Sequence, residues 1–231
     1  MRGGRGLFGM NYFAHGCRFV DDPYFVAGTA VPDWLNLVDR RARARSKVAV
    51  GHVESADPRV AAIARGVVQH HHDDDWFHRT RAFAELNWQF TVEIRELLGA
   101  EAGMRPTFVG HILVELLLDS VLFEARPDWL DRYYAALAAL EPQVVADAVQ
   151  LFTPRNVGLL ATLLPRFYAE RFLYDYVDDG KLLGRLNGVM RRVGLAALPA
   201  EFCSLLPAAR EAVRRRAGEL LAGGTGFFSD P

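Results

Sequence analysis

Histidines and carboxylates recur together along this sequence. All but one of the seven histidines fall in three short stretches, around positions 15, 70–78 and 111, and the later stretches also carry Asp and Glu residues. Mixed imidazole and carboxylate ligation suits Mn²⁺, Fe²⁺ or Zn²⁺ better than an all-oxygen site would. The sequence therefore predicts a divalent metal centre, and the helices that carry these residues must turn them toward one another.

The stretch at 70–78, which contains four of these histidines, follows Asp57-Pro58, a helix N-cap with proline in the first turn. At about 100° per residue, its apolar stripe continues into His70 or His71, then Asp74, then His78. Periodicity leaves both His70 and His71 open. Positions four apart rise about 6 Å, so one ion with bonds of about 2.0–2.2 Å cannot easily collect all three. Two neighbours could share an ion while the third serves a second ion or the substrate, and His72 is expected in solvent.

The helix that starts at Arg105-Pro106 places His111, Glu115 and Asp119 four residues apart on one side. Apolar residues cover most of its remaining circumference, and this pattern predicts a buried helix. Buried carboxylates must be paired, protonated or bound to a cation. An interhelical salt bridge or an arginine network is the alternative to a metal. Because the 58–78 helix offers imidazoles and carboxylates rather than cations, we expect the two helices to face a common cavity that holds a divalent ion.

Two upstream residues could complete this ligand shell. His15 lies among aromatic and small residues, and Asp33 lies in the segment GTAVPDWL. Each is a weak signal alone, since a histidine beside aromatic residues is more often a satisfied core residue.

Composition sets the broad class of the protein. The 231 residues are 51% hydrophobic and 24% charged, with 27 basic and 28 acidic side chains, which argues against a broad basic face for nucleic acid. Cys17 and Cys203 form no CxxC pair, as expected in a reducing compartment, and we find neither a membrane span nor a signal peptide. Scarce β-branched alternation predicts an all-α, single-domain, multi-helix bundle with a frayed tail at 223–231. The cysteine usage, together with the absence of a recognisable membrane span or signal peptide, favours the cytoplasm.

One segment is strongly basic. It is either a solvated surface or a docking patch for an acidic partner or a phosphate. Its five cations are Arg40, Arg41, Arg43, Arg45 and Lys47.

Several motifs resemble the acyl carrier protein phosphodiesterase family, a helical, HD-like group of metal-dependent phosphohydrolases. They are MNYFAH at 10–15, GTAVPDWL at 28–35, Gly66 with His70 and Asp74, Glu115 with Asp119, and Leu186-Asn187-Gly188. The resemblance implies that residues 1–9 are an extension and 10–222 the helical domain. It also favours His70 over His71 and maps a family aspartate onto Asp33.

The activity that this resemblance implies is removal of 4′-phosphopantetheine from holo acyl carrier protein, within fatty acid biosynthesis. Mn²⁺ is the expected cofactor, with Fe²⁺ or Zn²⁺ as alternatives. Catalysis would involve Asp74, with His78 or His111 protonating the leaving oxygen, and the basic segment would dock the acidic carrier. The expected metal ligands are His15, Asp33, His70, Asp74, Glu115 and Asp119.

Three positions depart from the family pattern. His78 stands where the family has aspartate, Ser120 replaces a histidine, and His111 has no counterpart. Metal binding could survive these changes, but the same substrate does not follow. A phosphohydrolase for another small phosphoester, or a metal-binding helical bundle without hydrolase activity, are the alternatives.

Overall fold

The computed structural model describes residues 11–99 and 105–227. Within these ranges all regular elements are α- or 3-10 helices and no strand occurs, which confirms the all-α class. None of the helices in these ranges combines the length and apolarity that crossing a membrane requires. The α-helices are α1 (Tyr12–Gly16), α2 (Pro23–Val38), α3 (Ser46–Ala49), α4 (Pro58–Phe77), α5 (Arg81–Leu98), α6 (Arg105–Ala125), α7 (Pro127–Ala138), α8 (Pro142–Gln150), α9 (Leu160–Glu170), α10 (Asp179–Val193) and α11 (Leu206–Leu220).

The helix boundaries follow local chemistry. The Asp22 carboxylate accepts from the Phe25 N–H at 3.1 Å, and Asp57 accepts from the Arg59 N–H at 2.8 Å, so both cap the helices that proline begins. The Thr80 hydroxyl caps α5 in the same way, through the Phe83 N–H at 3.1 Å. Gly99 ends α5 with a φ of 75°, a conformation that glycine adopts without strain.

The chain divides into two compact units, each built from separate segments. Among the described residues, the first unit contains 11–76, 126–171 and 226–227, and the second contains 77–99, 105–125 and 172–225. The single domain expected over 10–222 stays a prediction. The extension at 1–9 and the end of the tail from 228 lie outside the described residues.

Two glycines set the geometry of the first unit. A Cβ on Gly66 would lie 2.2 Å from the Phe25 carbonyl oxygen, and one on Gly28 would lie 2.2 Å from the Ile63 carbonyl oxygen. Helices α2 and α4 therefore cross at backbone contact, closer than any other residue would allow. This crossing places the Thr29 carbonyl, the next residue on α2, beside the side of α4 that carries His70.

Helix α6 forms the centre of the second unit. It packs along α5 and α11, and fifteen of its residues are buried, which confirms the buried helix that its apolar circumference predicts. Two of the carboxylates of this helix are buried with it: Glu115 is 3% exposed and Asp119 is fully buried.

Candidate metal centres

Three of the expected ligands come together in the first unit. His15 lies on α1, and His70 and Asp74 lie one turn apart on α4. One ligand atom from each residue lies within 4.8 Å of the others. We call these three residues the His15 cluster.

The crossing of α2 and α4 fixes the orientation of the His70 ring. Its Nδ1 lies 2.8 Å from the Thr29 carbonyl oxygen, an acceptor only, so Nδ1 carries the proton and donates it. The other ring nitrogen, Nε2, lies 3.3 Å from Asp74 Oδ2. A ring whose second nitrogen donates to a carbonyl is the usual state of a metal-binding histidine. Periodicity left His70 and His71 open, and the structure places His70 in the cluster.

The imidazole of His15 is completely buried and stacks on the ring of His70, with centroids 4.0 Å apart. Its Nε2 lies 3.3 Å from Asp74 Oδ1 and its Nδ1 lies 3.6 Å from Asp73 Oδ2, and neither nitrogen makes a hydrogen bond of normal geometry. Burial opposes a charge on this ring, but the two carboxylates outweigh it and raise the pKa of His15 to about 9. In the absence of metal, His15 is therefore an imidazolium at neutral pH.

Asp74 connects the two imidazoles, with one carboxylate oxygen toward each. Burial acts to raise the pKa of Asp74, but the neighbouring His70 and His15 hold it well below its ordinary value of 3.8. About a quarter of its side chain is exposed, so the cluster opens to solvent on the side of this carboxylate. Asp74 is thus ionised and positioned to accept a cation.

Sequence reasoning missed Asp73, which is fully buried. Its carboxylate accepts from Arg18 Nη2 at 2.6 Å, Gln69 Nε2 at 2.8 Å and Trp76 Nε1 at 3.1 Å. Burial acts to raise its pKa, yet the contacts with His15 and Arg18 lower it. Asp73 faces the second nitrogen of His15, where outer carboxylates orient metal-binding imidazoles. Its position three residues after His70, on the same helix face, was the available signal.

The other two histidines of the His70–His72 run point elsewhere. His71 donates from Nε2 to the Ala44 carbonyl oxygen at 2.7 Å, and burial lowers its pKa. The side chain of His72 is 67% exposed. Neither residue is part of the His15 cluster.

A second group forms within the second unit. His78 follows the end of α4, and His111 and Glu115 lie one turn apart on α6. Glu115 Oε1 lies 2.9 Å from His111 Nε2 and 3.3 Å from His78 Nε2, and the two rings stack with centroids 4.9 Å apart. One ligand atom from each residue lies within 4.8 Å of the others. We call these three residues the His111 cluster.

Two expected ligands belong to neither cluster. Asp33 lies half-buried on α2, and Asp119 lies fully buried on α6, one turn beyond Glu115. Ser120, which stands where the resembled family has histidine, accepts from Arg210 Nη1 at 2.7 Å and donates to the Leu117 carbonyl. The single cavity that all six expected ligands would share stays a prediction.

The basic segment runs along the surface of the first unit. All five of its cations are exposed, whereas the intervening Ala42 and Ala44 are buried. The Ala44 carbonyl is the acceptor for His71, so the segment is fastened to α4 one residue from His70. Arg43 is further fixed by donating to the Arg40 and Ala42 carbonyls at 2.6 Å each.

The spacing within the His15 cluster can be compared with that of a metal site. Bonds of about 2.0–2.2 Å in a tetrahedron put ligand atoms about 3.3–3.6 Å apart. His15 Nε2 lies 3.3 Å from Asp74 Oδ1 and His70 Nε2 lies 3.3 Å from Asp74 Oδ2, so each imidazole lies at this spacing from a different oxygen of the carboxylate. A buried nitrogen without a hydrogen bond is costly unless a ligand satisfies it, and His15 Nε2, which faces Asp74, is in this state. Comparisons of the chain with protein-family models, curated proteins and solved structures find no match.

Proposed function

We propose that the protein is a cytoplasmic, metal-dependent phosphodiester hydrolase with an HD-like helical fold. Its ion, Mn²⁺ in the first instance and Fe²⁺ or Zn²⁺ as alternatives, is held by the His15 cluster. One observation carries the proposal: two buried imidazoles have their Nδ1 atoms toward Thr29 and Asp73 and their Nε2 atoms toward one carboxylate. This is the arrangement of a metal site with its outer partners in place.

The residues around the cluster keep it ready for a cation. Thr29 selects the tautomer of His70, and Asp73, itself held by Arg18, orients His15. Asp74 supplies the negative charge. When bound, a divalent ion polarises a phosphoryl oxygen and lowers the pKa of a water molecule, the chemistry that phosphodiester hydrolysis requires.

The charge of the nearby surface supports an anionic substrate. The basic segment presents five exposed cations and is fastened to α4 beside His70 through the bond between His71 and Ala44. A local cationic surface raises the concentration of anionic ligands at a neighbouring site and accelerates their association. We therefore propose that this segment binds the acidic substrate.

The proposed substrate is the 4′-phosphopantetheine group of holo acyl carrier protein. Its support is the sequence resemblance, together with the basic segment, which would suit an acidic carrier. Hydrolysis would break the phosphodiester bond to the carrier serine and release the arm. The same metal chemistry would also hydrolyse another small phosphoester, and the experiment below distinguishes the two substrates.

A second function is favoured by the burial of the imidazoles. His15 is fully buried and His70 is 3% exposed, so only the Asp74 side of the cluster is open to a substrate. A metal-binding helical bundle without hydrolase activity would have such a closed site. The two functions differ in catalysis, not in metal content.

The test combines Mn²⁺-loaded full-length protein with purified holo acyl carrier protein and follows the carrier by mass spectrometry. We expect a discrete mass loss equal to the arm, which Asp74→Asn abolishes and His72→Ala, a matched change at an exposed histidine of the same helix, does not. If the protein hydrolysed bis-p-nitrophenyl phosphate but did not cleave the carrier, it would be a hydrolase whose substrate is another phosphoester. Metal binding without turnover of either compound would overturn the hydrolase and leave the non-catalytic bundle.

A further inference from the structure

The His111 cluster is built like a ligand set. Both imidazoles direct Nε2 at the same oxygen, Glu115 Oε1, at 2.9 and 3.3 Å. These separations approach the about 3.3–3.6 Å between neighbouring ligands of a tetrahedral ion with bonds of about 2.0–2.2 Å. Two imidazole nitrogens and one carboxylate oxygen form a ligand set that proteins use for catalytic zinc.

The two imidazoles stack beside one buried carboxylate. The rings of His78 and His111 lie 4.9 Å apart and 26° from parallel, and Glu115 is 3% exposed. A buried carboxylate needs hydrogen-bond donors or a cation. A divalent ion bound by both Nε2 atoms and Oε1 would meet this need.

An aromatic wall holds the rings in this orientation. Phe83, itself buried, packs edge-on against both, with centroids 4.7 Å from His78 and 4.9 Å from His111. Phe77 adds a contact to His78 at 5.3 Å. Rings locked by packing lose little entropy when they bind an ion, and this preorganisation favours a metal site.

We propose that His78, His111 and Glu115 bind a second divalent ion of the zinc class, in addition to the ion of the His15 cluster. Three protein ligands leave one tetrahedral position open. The imidazoles are 26% and 28% exposed, so the open position would be accessible to solvent. The inference goes beyond the proposed hydrolase and does not require it. It replaces the proton-donor role that the sequence suggested for these histidines.

The test uses Co²⁺ and Zn²⁺ as probes of the full-length protein. Stoichiometry is measured by elemental analysis after equilibrium dialysis against free metal, and coordination by the visible absorption bands of Co²⁺. We expect two ions per chain in the wild type, one in His111→Ala, one in Asp74→Asn and none in the double variant. His72→Ala is the matched histidine control and retains both ions.

Folding is separated from binding by a second variant. Glu115→Gln keeps the shape of the buried side chain but weakens ligation, and we expect it to lose the same ion as His111→Ala while circular dichroism stays unchanged. If Glu115→Gln and His111→Ala each still bound two ions, the inference would be overturned. The inference would also be overturned if the wild type bound one ion and each of the single variants Asp74→Asn and His111→Ala bound none, because that result would mean one shared ion. Carrier cleavage, measured separately, reports on the hydrolase whichever stoichiometry is found.

Discussion

The two clusters use similar ligands in different surroundings. In the His15 cluster both imidazoles are buried and each Nδ1 faces a fixed oxygen, from Thr29 or Asp73. In the His111 cluster the imidazoles are about a quarter exposed, stack on each other and pack against Phe83. Outer partners raise ligand basicity and fix the tautomer. We therefore expect tight, slowly exchanging metal in the first unit and weaker, labile metal in the second.

The difference also concerns the charge state without metal. His15 lies between two carboxylates, so an imidazolium occupies the place of the cation. In the His111 cluster two imidazoles share a single carboxylate oxygen. An ion that enters the His15 cluster must therefore displace a proton, which makes its binding depend strongly on pH.

The largest expected effect is loss of the first metal site in Asp74→Asn. The amide removes the charge between the two imidazoles, and we expect metal affinity there to fall by at least ~100-fold, more than loss of an outer partner costs. Isothermal titration with Mn²⁺ measures it. An equal loss in Asp75→Asn, a change at the exposed neighbouring carboxylate, would show a general charge effect instead.

Gly66→Ala breaks the helix crossing on which the first unit depends. The new methyl would lie 2.2 Å from the Phe25 carbonyl oxygen and 2.7 Å from Gly28 Cα, so the helices must separate. We expect a loss of about 3 kcal/mol in the free energy of unfolding, from chemical denaturation. The matched control is Gly218→Ala, in open space on α11, which should stabilise by about 0.5–1 kcal/mol. Similar stability of the two variants would contradict the tight crossing.

The pH dependence sharpens the contrast between the clusters. Because the pKa of His15 is raised from 6.5 to about 9, its charge stabilises the metal-free fold below pH 6.5, and this contribution is lost as pH rises through about 9. Metal binding shows the opposite trend: displacing one proton makes affinity rise about tenfold per pH unit below that pKa. Mn²⁺ titrations of Glu115→Gln, in which only the first site remains, measure this slope. A flat profile would mean that His15 is not a ligand.

The smallest expected effect comes from Asp73→Asn. The amide can still accept from Arg18 but orients His15 less strongly, so we expect about a tenfold loss of affinity with the stoichiometry of the first site intact. Competition with a coloured chelator measures the change. An unchanged affinity would mean that Asp73 pairs with Arg18 but does not orient His15 for metal binding.

Much of the fold follows from local rules. Asp57 caps the helix that Pro58 begins, as the sequence predicts, and the apolar circumference of α6 predicts its burial. Other boundaries do not follow from such rules. Helix α9 ends at Arg171, which has a left-handed φ of 43°, and a 3-10 segment precedes α11. Pro207 lacks an N–H, which confines it to the first turn of α11.

The site was predictable only in part for a physical reason. Periodicity states which residues share a helix face, and it identified Asp74, His111 and Glu115 but left His70 and His71 open. It does not state which other element lies opposite that face. The meeting of α1 with α4 depends on tertiary packing, so His15 was a weak signal and the partnership of Asp73 with Arg18 was missed. The Gly28–Gly66 contact, which determines how His70 is held, is also visible only in three dimensions.

The most direct test is a crystal structure of the protein grown with Mn²⁺, with anomalous scattering used to locate the ion. We predict an anomalous peak at about 2.0–2.2 Å from His15 Nε2, His70 Nε2 and an oxygen of Asp74, with the His70 bond to Thr29 retained. A metal-loaded crystal in which no peak lies among these atoms, and in which His15 remains paired with its carboxylates, would contradict the account.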